Sequence, residues 1–308
     1  MKKIEVIIPV FNEYECIDEL VKRLNNVLLE VDNKKFDVAI TFVDDGSEFE
    51  FKEILDNYSK KHSYISVLSL TRNFGHQAAL RAGIDESQAD ALIMMDGDLQ
   101  DPPEIIIEMI SKWDNGADSV SCVRKLRKKE SFFKKFTANI FYRLFDNNSD
   151  FKSTRNAGDF KLISKWMADE IRTITEHNLY LRGFIDWLGG INEKIYYDRD
   201  ERYGGKRRYK YRQSYNVAIN GLVSLSDFFP RLLNKIFIFS TLGIVFIIFW
   251  IIGTYILYPN NLAQGWSSLI LTILLVLILQ SCSFIFLSYY IKKILDQTSG
   301  RKNYQTKK

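Results

Sequence analysis

Asp96 and Asp98 stand one glycine apart in the stretch Ile93-Met94-Met95-Asp96-Gly97-Asp98-Leu99-Gln100-Asp101-Pro102-Pro103-Glu104. Two carboxylates so close repel each other unless a cation sits between them or water screens them. Hard divalent ions such as Mg2+ or Mn2+ take oxygen ligands and often keep substrate phosphates in their shell, so the pair points to a metal holding a diphosphate. An acidic turn is the plainer alternative. It accounts for Asp101 as a helix cap, with Pro102 and Pro103 in the first turn and Glu104 closing a capping box, but it leaves Asp96 and Asp98 without a role.

The apolar run 91–95 reads as a buried strand that delivers this pair to its carboxyl end, where open α/β sheets bind ligands. Further strand patterns cover 4–10, 36–43, 65–70 and 119–123. Between them lie helical patterns. Ile17, Leu20, Val21, Leu24, Val27 and Leu28 recur at helical spacing within 16–29, residues 51–58 follow suit, another helix runs from the Thr71–Gln77 segment to about Ser87, and Ile105, Ile106, Met109, Ile110 and Trp113 share one helical face. Such alternation predicts an α/β fold with a mostly parallel sheet flanked by helices. Successive strand ends carry Asn12 and Glu13, Asp44 and Asp45, Arg72 and Asn73, then Asp96 and Asp98. Turn chemistry explains any one of these pairs; four converging on one sheet edge point to a site.

At 308 residues the chain can form a full domain with sequence left over. The surplus is C-terminal. Residues 236–257 and 266–291 contain no charged residue, and each can cross about 30 Å of hydrocarbon at about 1.5 Å per residue. Two transmembrane helices are therefore expected, with Trp250, Tyr255, Tyr258, Trp266, Tyr289 and Tyr290 placed as interfacial aromatics. Arg231 and Lys235 precede the first and Lys292 and Lys293 follow the second, while the connector 259–265 is uncharged, which sets both termini in the cytoplasm. The N-terminus enters a strand pattern without a signal-peptide core. Cys16, Cys122 and Cys282 show no metal-type spacing and read as reduced thiols.

Residues 1–123 hold 12 Lys/Arg against 24 Asp/Glu, and residues 124–235 hold 24 against 13. A basic segment beside a membrane attracts anionic lipid phosphates, beyond forming an ordinary solvated face. No aromatic-interleaved basic module favours nucleic acid. The stretch 215–233, with Val217, Ala218, Leu222, Leu225, Phe228 and Phe229, reads as an amphipathic helix at the membrane interface; its alternative is a helix packed on the catalytic domain. A phosphate acceptor approaching an anionic donor needs cations. Arg124 and Arg127, then Arg199, Arg202 and the cluster Lys206, Arg207 and Arg208, are the candidates, with Arg preferred where a phosphate is gripped by two hydrogen bonds.

The ordered set Ile7-Ile8-Pro9-Val10-Phe11-Asn12-Glu13, Val43-Asp44-Asp45-Gly46-Ser47, Arg72-Asn73-Phe74-Gly75 and Asp96-Gly97-Asp98-Leu99-Gln100-Asp101-Pro102 resembles the family 2 glycosyltransferases of GT-A, Rossmann-like fold. Within them the chain is similar to the polyprenyl-phosphate group, which includes bactoprenol glucosyltransferases and dolichol-phosphate mannose synthases. Asn156-Ala157-Gly158-Asp159-Phe160-Lys161-Leu162, Leu181-Arg182-Gly183 and Arg199-Asp200-Glu201-Arg202-Tyr203-Gly204-Gly205-Lys206-Arg207-Arg208-Tyr209 extend the match over nearly the whole chain. Arg207 and Arg208 stand where the family often has a small hydroxyl residue and a lysine. The tail 299–308 lacks the family's usual ending.

The resemblance implies that Pro9, Asn12, Glu13, Asp45, Arg72, Asp96 and Gly97 bind the nucleotide, that Asp96, Asp98 and Gln100 hold Mg2+ or Mn2+, and that Asp98 and Asp159 are catalytic. Asp159 matches the family's proposed base. A lipid monophosphate has a second pKa near 6 and is largely dianionic at pH 7, so Asp159 orients acceptor or sugar as readily as it takes a proton. The implied reaction moves a hexose, glucose in the first place, from a UDP-linked donor to undecaprenyl phosphate with inversion, for modification of a cell-surface polysaccharide. It places the enzyme in the bacterial inner membrane, with membrane lipids around it and a homo-oligomer, a tetramer in the family, as its assembly. The expected organisation is a catalytic domain at 1–212, a juxtamembrane segment at 213–234, two spans within 235–291 and a cytoplasmic basic tail at 292–308. A processive polysaccharide synthase, a nucleotidyltransferase and a non-catalytic membrane scaffold are the alternatives. The first needs more spans and a product-gripping motif, the second leaves the spans and the Asp159 motif unexplained, and the third tolerates loss of Asp96 and Asp98.

Overall fold

Strand β1 (Lys2–Val10) turns Ile4, Val6, Ile8 and Val10 to one face of the sheet and Ile7 to the other, the period of two expected of a strand covered on both sides. The structure, a computed structural model, describes residues 1–125, 143, 147, 149, 151, 154, 157–174, 180–200, 228–257, 265–298 and 304–307. Around β1 stand β2 (Phe36–Asp44), β3 (Ile65–Ser69), β4 (Ala91–Met94), β5 (Ser119–Arg124), β6 (Ala157–Ser164) and β7 (Asn192–Tyr197), in the order β3-β2-β1-β4-β6-β5-β7. β6 alone runs antiparallel, wedged between β4 and β5. The expected mostly parallel α/β sheet is what forms.

Helix α1 (Ile17–Glu30) buries Ile17, Leu20, Val21, Leu24 and Val27, a stripe at helical spacing, and each such side chain contributes about 1.5–3 kcal/mol when fully buried. With α2 (Phe49–Lys61) and α4 (Ile105–Asp114) it supplies the apolar layer on the face that takes Ile4, Val6 and Ile8. The opposite face, carrying Ile7, is covered by α3 (His76–Glu86), α5 (Lys165–Thr173) and α6 (Leu181–Leu188). The sheet is therefore covered by apolar layers on both sides, and the acids at its strand ends gather on its carboxyl edge.

One compact unit comprises Met1–Ser226 with Lys302–Lys308; the other is Asp227–Arg301. The second contains α7 (Phe228–Leu257) and α8 (Trp266–Thr298), of 30 and 33 residues, which cover the two expected spans. Among the described residues no helix is long and apolar enough to cross a membrane. The last residues of the expected amphipathic stretch, from Phe228 onward, belong to α7, and its earlier part lies outside the described residues. The expected basic tail at 292–308 is in part structured. α8 continues to Thr298, and Tyr304 is buried in the apolar layer of the first unit, because one large aromatic outweighs the charges on either side of it.

Candidate active site

β4 and β6 pair antiparallel up to Met94 opposite Lys161. Asp96 lies two residues beyond Met94 and Asp159 two before Lys161, so the pairing of two strands far apart in sequence carries these carboxylates to the same end of the sheet, where their ligand atoms lie within 4.8 Å of one another. The first residue of α3 completes the group: His76 Nε2 lies 3.3 Å from Asp96 Oδ1 and 3.3 Å from Asp159 Oδ2. Gln77 donates to the same Asp159 oxygen at 3.1 Å, and Arg182, near the start of α6, approaches Asp159 Oδ1 at 3.5 Å. Lys161 sits beneath, almost wholly buried. It pairs with Asp186 at 2.8 Å and donates to the Arg182 carbonyl at 3.3 Å, which ties the start of α6 to β6.

The charges bias one another. Burial opposes ionisation of Asp159, but the Arg182 guanidinium and His76 outweigh it and hold its carboxyl well below the usual carboxylate range. Asp159 is thus a weak base and a firm anion. Burial alone would lower His76; Asp96 and then Asp159 raise it instead, to about 9. Asp96 is pushed up to about 6, first by burial and then, against the pull of His76, by Asp101, Asp159 and Asp98. One oxygen on each of Asp96 and Asp159 has no hydrogen-bond partner among the described residues. Ligand atoms of His76, Asp96 and Asp159 all lie within 4.8 Å of one another. Carboxylate oxygens with one imidazole suit a hard or borderline divalent ion, so the residues present fit Mg2+ or Mn2+. Of the other two expected ligands, Asp98 accepts the Gln100 backbone amide hydrogen on Oδ1 at 3.1 Å and is not one of the acids in this cluster. Leu99 between them has φ 58°, a left-handed conformation costly for leucine and typical of functional loops.

Asp101 is not a helix cap. Its side chain is fully buried, the N-cap of α4 is Glu104 without a side-chain cap bond, and Glu104 pairs with Arg23. Three donors claim Asp101 because a buried carboxylate is stable only when paired: the Tyr197 hydroxyl, Arg124 at 3.4 Å and Arg199 at 3.2 Å. Arg199 also reaches to 3.7 Å from Asp96. A side chain at Gly158 would run into the Arg124 guanidinium, so glycine there lets Arg124 cross β6 to its partner. Two of the expected phosphate-binding arginines are therefore set at the site's edge by one acid, with a net positive charge between the three. Arg127, Arg202, Lys206 and Arg208 lie outside the described residues.

On the other side of β1, Asp45 is buried and accepts the amide hydrogens of Phe74 and Gly75 at 2.7 and 2.9 Å, while burial pushes its carboxyl up. Gly46, at φ 74°, packs under the Arg72 and Asn73 backbone, where a side chain would collide. Asn12, at φ 52°, donates its amide hydrogen to Ser47 at 3.0 Å and accepts that of Glu48 at 2.9 Å. Arg72 is exposed and stacks on Phe74 at 4.0 Å. Pro9 is buried at the end of β1, Gly97 lies against Pro9 and Val10, and Glu13 opens the turn into α1 through its carbonyl. Sequence reasoning missed His76, Lys161 and Arg182 as site residues. Each adjoins or lies within a quoted motif, and only the strand pairing shows that they meet.

Residues 5–172 match the family described as Glycosyl transferase family 2. The chain is 35% identical over 303 residues to the uncharacterized glycosyltransferase YkcC of Bacillus subtilis, spanning 98% of this chain and 93% of that one. It is 34% identical over 307 residues to the SfII prophage-derived bactoprenol glucosyl transferase of Shigella flexneri, spanning 99% and 98%. A similar protein from Synechocystis, the uncharacterized glycosyltransferase sll0501, is 31% identical over 304 residues, 98% of this chain and 94% of its own. Strand-end acids gathered on a mostly parallel sheet, a family match over more than half the chain and end-to-end relatives agree: this protein is a glycosyltransferase and belongs to glycosyl transferase family 2.

Proposed function

We propose that the protein transfers a hexose, glucose in the first place, from a UDP-linked donor to undecaprenyl phosphate at the cytoplasmic face of the bacterial inner membrane. The observation that carries this is the meeting of Asp96 and Asp159 with His76 and Arg182 at the carboxyl edge of the sheet. The end-to-end likeness to a bactoprenol glucosyl transferase supports a polyprenyl phosphate as acceptor. An acceptor phosphate oxygen attacks the anomeric carbon from the side opposite UDP; the bond to UDP breaks as the new carbon–oxygen bond forms, and the centre inverts. UDP leaves with added negative charge, so stabilising that charge is the main catalytic demand.

Asp96 would hold a divalent ion, with Asp98 and Gln100 on one side or His76 and Asp159 on the other completing the ligand set. Such an ion, Mg2+ or Mn2+, neutralises the diphosphate when bound. Asp159, kept ionised, orients sugar hydroxyls or acceptor rather than removing a proton. Arg124 and Arg199, held by Asp101, offset the repulsion between two anionic substrates. Asn12, Glu13 and Arg72 line the nucleoside side, and Asp45 fixes the loop that carries Arg72.

Helices α7 and α8 cross the bilayer in this reading. Their exposed Phe239, Phe246, Phe249, Trp250 and Ile285 call for an apolar surround. No helix made of the described residues alone is long and apolar enough to cross, so this part of the proposal rests on the full sequence, in which the uncharged runs 236–257 and 266–291 are each long enough for a span.

The test is transfer of labelled sugar by purified protein from a panel of UDP- and GDP-sugars, with undecaprenyl phosphate and Mg2+ or Mn2+. Label entering the lipid phase, lost on chelation and in Asp98→Asn, is expected. Label in a water-soluble polymer, or in no product with any donor, overturns the proposal.

A further inference from the structure

β3 is an edge strand, and its outer side would be left with unpaired backbone groups. The last described residues of the chain pair with its carboxyl end and the two residues beyond. Thr306 bridges Leu70 in antiparallel fashion, the Thr71 amide donates to the Gln305 carbonyl at 2.9 Å, and the Lys307 amide donates to the Ser69 carbonyl at 2.8 Å. Tyr304 is buried in the same apolar layer as Leu70, and its hydroxyl donates to Asp85 of α3 at 2.9 Å. This is strand addition to a sheet edge by the chain's own terminus. It ends where the loop 71–75 begins.

That loop has three fixed points. Gln305 holds Thr71, the close approach of Gly46 supports Arg72 and Asn73, and Asp45 takes the amides of Phe74 and Gly75. Two of these lie on β2 or just after it; the third is supplied only after the chain has passed through α7 and α8. We infer that Tyr304–Lys307 is a positioning strap for the donor side of the site, holding the loop that presents Arg72 to the nucleotide sugar. This rests on the proposed function, in which that loop lies on the nucleoside side. Tyr304 and Lys307 are positioning residues: they act through Asp85 and Ser69, not on substrate.

Proline has no amide hydrogen, so Lys307→Pro deletes the bond to Ser69 while Lys307→Ala keeps it. Tyr304→Phe deletes the bond to Asp85 and keeps the ring. The measurement is steady-state transfer in the full chain, with donor and acceptor varied separately, and amide hydrogen exchange over residues 69–75. Lys307→Pro and Tyr304→Phe should raise the donor KM about 5- to 10-fold with acceptor KM unchanged, and speed exchange at Thr71, while Lys307→Ala matches wild type. A chain ending at Gly300 should show the same donor defect, lessened when a peptide of residues 301–308 is added. Donor KM unchanged in Lys307→Pro, or donor and acceptor KM rising together, overturns the strap. A wild-type protein that binds no nucleotide sugar in calorimetry overturns instead the functional reading beneath it.

Discussion

His76 Nε2 lies 3.3 Å from Asp159 Oδ2, a contact that ties the first residue of α3 to β6 across the mouth of the sheet. It is a charge-assisted bond, of a kind worth about 1.5–3 kcal/mol. His76→Ala should therefore lower kcat/KM by about 10- to 100-fold at roughly 1.4 kcal/mol per factor of ten, because Asp159 loses one of the groups that orient it. His76→Gln, which retains a donor, should recover part of that loss. Equal activity in all three proteins would show that His76 has no part in the site.

Asp101 is expected to matter for folding as much as for activity. Asp101→Asn removes the charge that Arg124 and Arg199 share in a buried position, and breaking one partner of such a network is strongly destabilising. Both guanidiniums are partly exposed, so the loss should be about 2–3 kcal/mol, below the range for a sealed pair. Denaturant unfolding of the wild type and Asp101→Asn measures it. A change under about 0.5 kcal/mol would mean that solvent already pays for both arginines.

Asp96 should trade stability for function. Its folded pKa of about 6 lies above the usual carboxylate value, so the stability tied to its protonated form is complete below about pH 4 and is lost as pH rises through about 6. Asn mimics the protonated acid. In chelator, Asp96→Asn should thus be more stable than wild type above about pH 6, by about 1–3 kcal/mol, and the two should converge near pH 4. Adding Mn2+ should raise the Tm of the wild type and leave that of Asp96→Asn unmoved. Wild type and variant with the same stability at every pH would contradict the buried, crowded setting of Asp96.

Gly46 allows the loop of Arg72 to close on β2. Gly46→Ala places a Cβ in a left-handed position, costing about 1–2 kcal/mol, and drives it into the Arg72 backbone as well. Donor KM should rise by at least 10-fold while acceptor KM holds. A variant with wild-type donor KM would show that the loop lies away from the nucleotide.

Legibility in the sequence followed the range of the interactions. β1, α1 and β4 declared themselves because each is a local pattern, an alternation or a helical stripe that its own burial enforces. Asp96 stood out for the same reason, being delivered by a short apolar run. β6 gave no such sign of its place. Its eight residues carry a motif, yet their insertion between β4 and β5 depends on pairing with strands far away in the chain, and with it the encounter of Asp96, Asp159 and His76. Asp101 looked like a cap because acid before proline is what caps look like; only its burial among Tyr197, Arg124 and Arg199 corrects that. Tyr304, alone among polar and basic neighbours, carried no periodic signal at all.

The most direct test is the stereochemistry of the lipid product. Nuclear magnetic resonance of material made from an α-linked UDP-sugar and undecaprenyl phosphate should show one hexose joined through its anomeric carbon to the lipid phosphate, in the β configuration. An α-linked product would contradict single displacement at this site, and free hexose or a soluble glycan in place of the lipid would contradict the acceptor itself.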